Sequence, residues 1–288
     1  MQAHDRCDPS LVRVADCRYG RMMYLANDRY LGQALERYGE YSEAEVDLWR
    51  QLVQPNWIVA DLGANIGTHT VAMARLVPQG FVLAAEPLLY LYYLLCGNLA
   101  LNGLAHVKAV NAAIGAERGY IRTPLLDYTV EENYGGLPLR DVQEVPGRRV
   151  PLIPLDELLP VVHLIKADVE GMEGEVLKGA SRLIRECRPI LYLEANPGPK
   201  QQPLLDQVHA LGYRLWWHYA PHFNPANYRH STVDMEPGVV SFNVLGLPAE
   251  VKADLTGLVP IEPPAGLSTI TAPDLVAPAE LRGGVDAV

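Results

Sequence analysis

The sequence predicts an α/β fold: a seven-stranded, mostly parallel sheet with helices on both faces, plus an N-terminal extension. Short apolar runs such as Trp57-Ile58-Val59-Ala60, Phe81-Val82-Leu83-Ala84-Ala85 and Ile190-Leu191-Tyr192-Leu193 have the length and composition of buried strands. Stretches with helical spacing separate them. Asp61, Glu86, Asp168 and Glu194 each close such a run, and an open parallel sheet binds its ligand beyond the carboxyl ends of its strands.

The 288 residues can bury a large core, read here as an extension over 1–55, a main domain over 56–250 and a Pro/Ala-rich tail over 251–288. A net charge of −10 with no Lys/Arg cluster argues against nucleic acid as a partner. Cys7, Cys17, Cys96 and Cys187 are scattered and form no C-x-x-C, so reduced thiols in a cytoplasmic protein are expected. The first residues lack the apolar core of a signal peptide. The longest apolar run, Leu88 to Leu95, is too short for a membrane span, which takes about 20 residues.

The first strand runs into Asp61-Leu62-Gly63-Ala64-Asn65-Ile66-Gly67 and then a helix from Thr68. Glycine suits a turn where a ligand approaches the backbone closely, and the helix N-terminus behind it suits an anionic ligand group. The glycine spacing departs from the G-x-G-x-x-G of dinucleotide sites, which disfavours a nicotinamide-dependent oxidoreductase. An acidic residue before the turn suits S-adenosylmethionine, whose ammonium it can pair while the carboxylate sits near the helix.

Asp61 to Thr70, Ala84-Ala85-Glu86-Pro87, and Leu164-Ile165-Lys166-Ala167-Asp168-Val169-Glu170-Gly171-Met172-Glu173 occur in that order. Together they resemble the FkbM family of S-adenosylmethionine-dependent methyltransferases over roughly residues 38–247. The resemblance implies a Rossmann-like class I methyltransferase fold and, relatives of this type being largely O-methyltransferases, transfer to a hydroxyl oxygen.

In chain order, residues 1–40 suggest short strands or a hairpin. Ser42 and Glu45 fit a capping box opening a helix over 43–53, and Tyr38 and Tyr41 before it read as packing or cofactor contacts. After the helix over 68–77 and the strand over 81–85, Glu86 is placed to hold a ribose diol. The helix over 88–101 is apolar nearly all round, so something covers it: the N-terminal segment, a second copy in a homodimer, or a lipid-like substrate. Asn102-Gly103 should end it. A third strand over 106–114 places Asn111 and small residues near the adenine. The stretch 121–149 reads as a long substrate-side loop with Tyr134-Gly135-Gly136 in its middle.

Residues 161–167 form the fourth strand, after which Asp168 and Glu170 alternate toward one side. One helix is expected over 172–186, then the strand ending at Glu194, a helix over 202–211, a strand over 213–218 and a final antiparallel strand over 239–247. The tail should be extended or disordered after about Pro260.

Expected cofactor contacts are Asp61, Gly63, Asn65, Gly67, Thr68, Glu86, Asn111 and Asp168. Deprotonating an unactivated alcohol needs a base, for which His218 and His222 are candidates, with Asp168 or Glu170 as orienting partner or alternative base. Tyr134, Asn196 and Asn224 are candidate substrate contacts. The carboxylates with Asn196 and the two histidines also form a conceivable hard-metal ligand set, giving a divalent metal as a second cofactor reading. The expected acceptor is a small molecule: a sugar, a polyketide or peptide natural product, or a lipid head group. A non-catalytic cofactor-binding or interaction module is the rival class.

Overall fold

The computed structural model describes residues 10–137, 146–251, 255 and 258–264. Its main sheet contains β3 (Ile58–Leu62), β4 (Phe81–Ala85), β5 (Val107–Val110), β9 (Leu164–Ala167), β10 (Ile190–Glu194), β11 (Tyr213–Pro221), β12 (Val240–Pro248) and β13 (Val259–Ile261). Their spatial order is β13-β11-β12-β10-β9-β3-β4-β5, parallel from β10 to β5 and antiparallel from β10 to β13. This is the α/β, Rossmann-like arrangement expected, with one strand more. Val259–Ile261 pairs with Leu215–Trp217 and so draws the start of the supposed tail into the sheet, while 265–288 lie outside the described residues.

The helices divide between the two faces because the strands alternate. Val59 joins one core with α2 (Glu43–Leu52), α3 (Thr68–Leu76) and α4 (Leu89–Leu101). Ala60 and Leu62 join the opposite core with α5 (Glu173–Gly179), α6 (Ser181–Cys187) and α7 (Gln201–Ala210). The parallel pairing places the carboxyl ends of β3, β4, β5, β9 and β10 together along one end of the sheet.

The N-terminal residues form a hairpin of β1 (Val12–Cys17) and β2 (Gly20–Leu25), then α1 (Leu31–Arg37). β2 lies on α4 and supplies the cover that this apolar helix requires. Buried Asn98 fastens them: its Oδ1 accepts Met23 N at 2.6 Å, and its Nδ2 donates to Met23 O at 2.9 Å and to Ile66 O at 2.8 Å. Of the large apolar side chains of α4, Tyr93 and Leu101 remain exposed.

Several expectations are corrected. The third strand breaks after Val110, because Asn111 donates its amide to Glu86 O and Pro87 O and turns the chain away. Ala113–Ile114 becomes β6 and pairs with β8 (Gly147–Ile153), which also pairs with β7 (Gly119–Pro124). The stretch read as one long loop begins and ends in the β7–β8 hairpin, and its middle, 125–146, is the connection, of which 138–145 lie outside the described residues. The helix over 172–186 is two helices: α5 ends against Gly115, whose carbonyl oxygen would lie 2.0 Å from a Cβ at Gly179. α6 restarts with the Asp156 carboxylate accepting Arg182 N and Leu183 N. Ser42 forms no capping box. Its φ is +47°, and its hydroxyl donates to Glu45 Oε1 at 2.8 Å because that carboxylate is buried and needs the bond.

Candidate active site

Beyond the carboxyl ends of the parallel strands lies a cavity of about 380 Å³. The glycine turn makes its floor. Gly63 has φ +78°, and a Cβ there would fall 1.7 Å from the Asp168 carbonyl oxygen, so the strand end of β9 packs where only glycine allows it. Gly63, Asn65 and Thr68 line the cavity. Gly67 caps α3 with φ +88° but does not line it; its place is against Leu95.

Glu86, at the end of β4, also lines the cavity. Its oxygens accept Asn65 N at 2.8 Å and Leu88 N at 2.7 Å, which fixes the carboxylate, and burial pushes its pKa up to about 7. Ala85, Ala112, Ala113 and Ile114 give this end small or flat walls. Asn111 is not among the lining residues, its amide being occupied in the turn that breaks the strand.

Asp61 lies beneath the turn, fully buried. It accepts Thr70 Oγ1 at 2.6 Å and faces Lys166 Nζ at 3.2 Å, so it holds the floor and does not line the cavity. Lys166 does line it, and reaches Asp168 Oδ2 at 3.6 Å. Burial works against its charge, yet the carboxylates of Asp61, Asp168 and Glu45 outweigh burial and raise its pKa. Glu45, on α2, is pushed by burial up to about 7.

The other end of the cavity is acidic. Asp168, Glu170 and Glu194 each place a carboxylate oxygen within 4.8 Å of the others. Glu170 reaches this position from a left-handed backbone, φ +53°, after the strand has ended. Glu173, the first residue of α5, ties down the loop before it: its Oε1 accepts Val169 N and Gly171 N at 3.1 Å each. Burial, then the neighbouring Asp168, pushes Glu170 up to about 8 and Glu194 up to about 10. Asn196 lines the same end and donates to Glu194 Oε1 at 2.7 Å.

The two candidate histidines separate. His222 lines the cavity, with its Nδ1 3.3 Å from Glu236 Oε2 and its Nε2 3.1 Å from Ser241 Oγ. His218 does not; its Nδ1 pairs with Tyr192 Oη at 2.7 Å, and burial lowers its pKa. Nor do two proposed substrate contacts reach the cavity. Tyr134 is buried and donates its hydroxyl to Asp127 O, leaving its neighbours Gly135 and Gly136 on the cavity wall. Asn224 donates to Glu40 Oε1 at 2.8 Å in the N-terminal contact.

Sequence reasoning passed over His69, Lys166 and Asp28, which all line the cavity, and left Tyr41 open. Lys166 carried a signal, a lone cation within an apolar strand. His69 stood inside the glycine motif; its ring meets Trp49 edge-on at 4.9 Å, and burial pushes its pKa down to about 3. The Tyr41 ring lies 5.8 Å from His69 and 5.4 Å from His222.

Residues 61–215 match the model of the methyltransferase FkbM domain, more than half of the chain. The chain belongs to the FkbM methyltransferase family. Methyltransferase sdnD of Sordaria araneosa is 32 % identical over 158 residues, 43 % of this chain and 60 % of that protein. Methyltransferase 1 of Beauveria bassiana is 27 % identical over 144 residues, 42 % of this chain and 57 % of that protein. Both alignments thus span less than two thirds of these curated relatives. Among solved structures, methyltransferase FkbM from Methylobacillus flagellatus superposes with TM-score 0.45 at 19 % identity, covering 67 % of this chain and 44 % of that one. An S-adenosylmethionine-dependent O-methyltransferase from Thermotoga maritima gives TM-score 0.45 at 14 % identity, covering 84 % and 79 %. In FkbM-family terms, the matched region contains the glycine turn, Glu86 and the acidic end. Tyr41 and His222 lie outside it.

Proposed function

We propose that this chain is a methyltransferase that moves the methyl group of S-adenosylmethionine to a hydroxyl of a small molecule. The observation that carries this reading is the continuity of one 380 Å³ cavity from the Gly63 turn and Glu86 to Asp168, Glu170, Glu194 and His222. The donor set fits the cofactor: glycine admits it to the floor, Glu86 can accept the ribose hydroxyls, and the acidic end tolerates a cation. The bound cofactor would supply an activated methyl group. The chain's task is then to hold the acceptor oxygen in line and to remove its proton. His222 is the residue placed for the proton, since it lines the cavity and His218 does not.

The acidic end favours uncharged or cationic acceptors over phosphate-bearing ones, because an anion there would further crowd a site where burial and the Asp168 carboxylate already hold Glu170 and Glu194 in their protonated form. Hydroxyls of sugars and of polyketide or peptide natural products meet that condition. The same carboxylates support a second reading, in which a divalent cation binds Asp168, Glu170 and Glu194 and acidifies the acceptor.

Calorimetric titration with S-adenosylmethionine, S-adenosylhomocysteine and NADH tests the cofactor. Micromolar binding of the first two, weakened in Glu86→Gln and absent for NADH, is expected; no binding overturns the reading. Transfer of labelled methyl to a panel of methyl glycosides, phenols and amines, with and without a chelator, then tests the acceptor and the metal. Cofactor binding without transfer to any of them favours the non-catalytic module.

A further inference from the structure

His222 is held from both sides. Its Nδ1 lies 3.3 Å from Glu236 Oε2 and its Nε2 lies 3.1 Å from Ser241 Oγ, with His222 and Ser241 both on the cavity wall. The local fold makes this arrangement. His222 N donates to Val239 O, one step beyond the β11–β12 ladder in which Pro221 faces Val240 and Ala220 faces Ser241. Glu236-Pro237-Gly238-Val239 is a tight turn: Val239 N donates to Glu236 O at 3.0 Å and Gly238 takes φ +80°. Proline at the second position and a left-handed glycine at the third are what a type II turn requires. That turn folds the Glu236 carboxylate back beside the ring.

We infer that Glu236, His222 and Ser241 form a Glu–His–hydroxyl array in which Glu236 is a positioning residue for His222 as base. The inference rests on the methyl-transfer reading and names what orients the base for its hydroxyl acceptor. An ionised carboxylate accepts but cannot donate, so Nδ1 must carry the proton and Nε2 is left bare toward the cavity. The Ser241 hydroxyl donates to that nitrogen in the free protein, and it rotates away when an acceptor hydroxyl takes the single lone pair in its place. In the transfer, the acceptor oxygen bonds the methyl carbon and the carbon–sulfur electron pair stays on sulfur. The hydroxyl proton passes to His222 Nε2, and the imidazolium so formed is paired by Glu236 before losing its proton to water. An ammonium acceptor would already be charged, and a neutral hydroxyl is the group for which an oriented bare nitrogen is of most use. Tyr41 packs against the His222 ring, with centroids 5.4 Å apart, and supplies no carboxylate to orient it.

The test is nitrogen NMR of the full chain labelled with 15N-histidine, with His222→Gln identifying the resonance. Wild type should show His222 with Nδ1 protonated and Nε2 bare. Glu236→Leu should move it toward the Nε2-protonated form, whereas Glu236→Gln, which keeps an acceptor oxygen, should hold the original form. Ser241→Ala should shift the Nε2 resonance toward that of an unbonded nitrogen. A wild-type His222 protonated on Nε2, or no change in Glu236→Leu, overturns the proposal. With the hydroxyl compound methylated fastest in the panel, Glu236→Leu should lower kcat roughly 100-fold with S-adenosylhomocysteine affinity unchanged. Equal loss of both overturns the positioning role. Failure of the wild type to bind the cofactor would instead sink the methyl-transfer reading, which the tautomer result does not depend on.

Discussion

Lys166 Nζ lies 3.2 Å from Asp61 Oδ1, and both side chains are almost wholly buried. This pair joins the floor of the glycine turn to the cavity, because the same ammonium reaches Asp168 at 3.6 Å. Removing one partner of such a pair strands the other as a buried charge. Lys166→Met should therefore cost about 3–5 kcal/mol of unfolding free energy in urea titration. Asp61→Asn combined with Lys166→Met should be less destabilised than Lys166→Met alone, and a purely additive result would show that the pair is not coupled.

Stability should fall as pH rises above neutrality. Glu170 and Glu194 have folded pKa values pushed up to about 8 and about 10, so the folded state binds more protons than the unfolded state above the ordinary carboxylate range. Their stabilising contribution is present below that range and is lost as pH climbs through those values. His69 acts oppositely: its pKa, down near 3 from 6.5, makes stability fall as pH drops between those limits. Above about 6.5 only the carboxylates of this set act. Melting temperatures from pH 6.5 to 9 should decline, and Glu194→Gln should flatten the slope.

Gly63→Ala should damage fold and binding together. The positive φ alone costs an alanine about 1–3 kcal/mol, and the new Cβ would meet backbone at Asp168, which has no side-chain freedom with which to yield. Urea unfolding and titration with S-adenosylhomocysteine measure the two losses.

Asn98→Leu keeps the volume at α4 but deletes three hydrogen bonds, leaving Met23 N, Met23 O and Ile66 O without their partner. The expected cost is about 2–4 kcal/mol. Trypsin should then cut at Arg13, Arg18 or Arg21 sooner than in wild type, because the hairpin has lost its fastening.

The sheet was legible because buried parallel strands announce themselves as apolar runs, and each closing carboxylate was found by its place at a strand end. Asp168 and Glu194 converge as that placement implies, and Glu170 joins them through a left-handed backbone after the strand has ended. What could not be read were contacts made across the fold. The helix break at Ala180 depends on Gly115 in another segment, and the loss of the Ser42 capping box depends on the burial of Glu45. Tyr134 and Asn224 looked like substrate contacts by residue type, but their hydrogen-bonding groups are used internally. His218 and His222 were indistinguishable in sequence; four residues, from within β11 to just past its end, separate a ring paired with Tyr192 from one on the cavity wall.

The cavity is walled partly by residues outside 61–215: Asp28, Tyr30, Leu31 and Tyr41 from one flank, His222, Val239, Val240 and Ser241 from the other. On the methyl-transfer reading, part of the acceptor's mould is thus written outside the stretch that matches the family, while the glycine turn and the acidic end lie within it. On that reading, exchange of the two flanks should change acceptor preference while the floor of the glycine turn stays as it is.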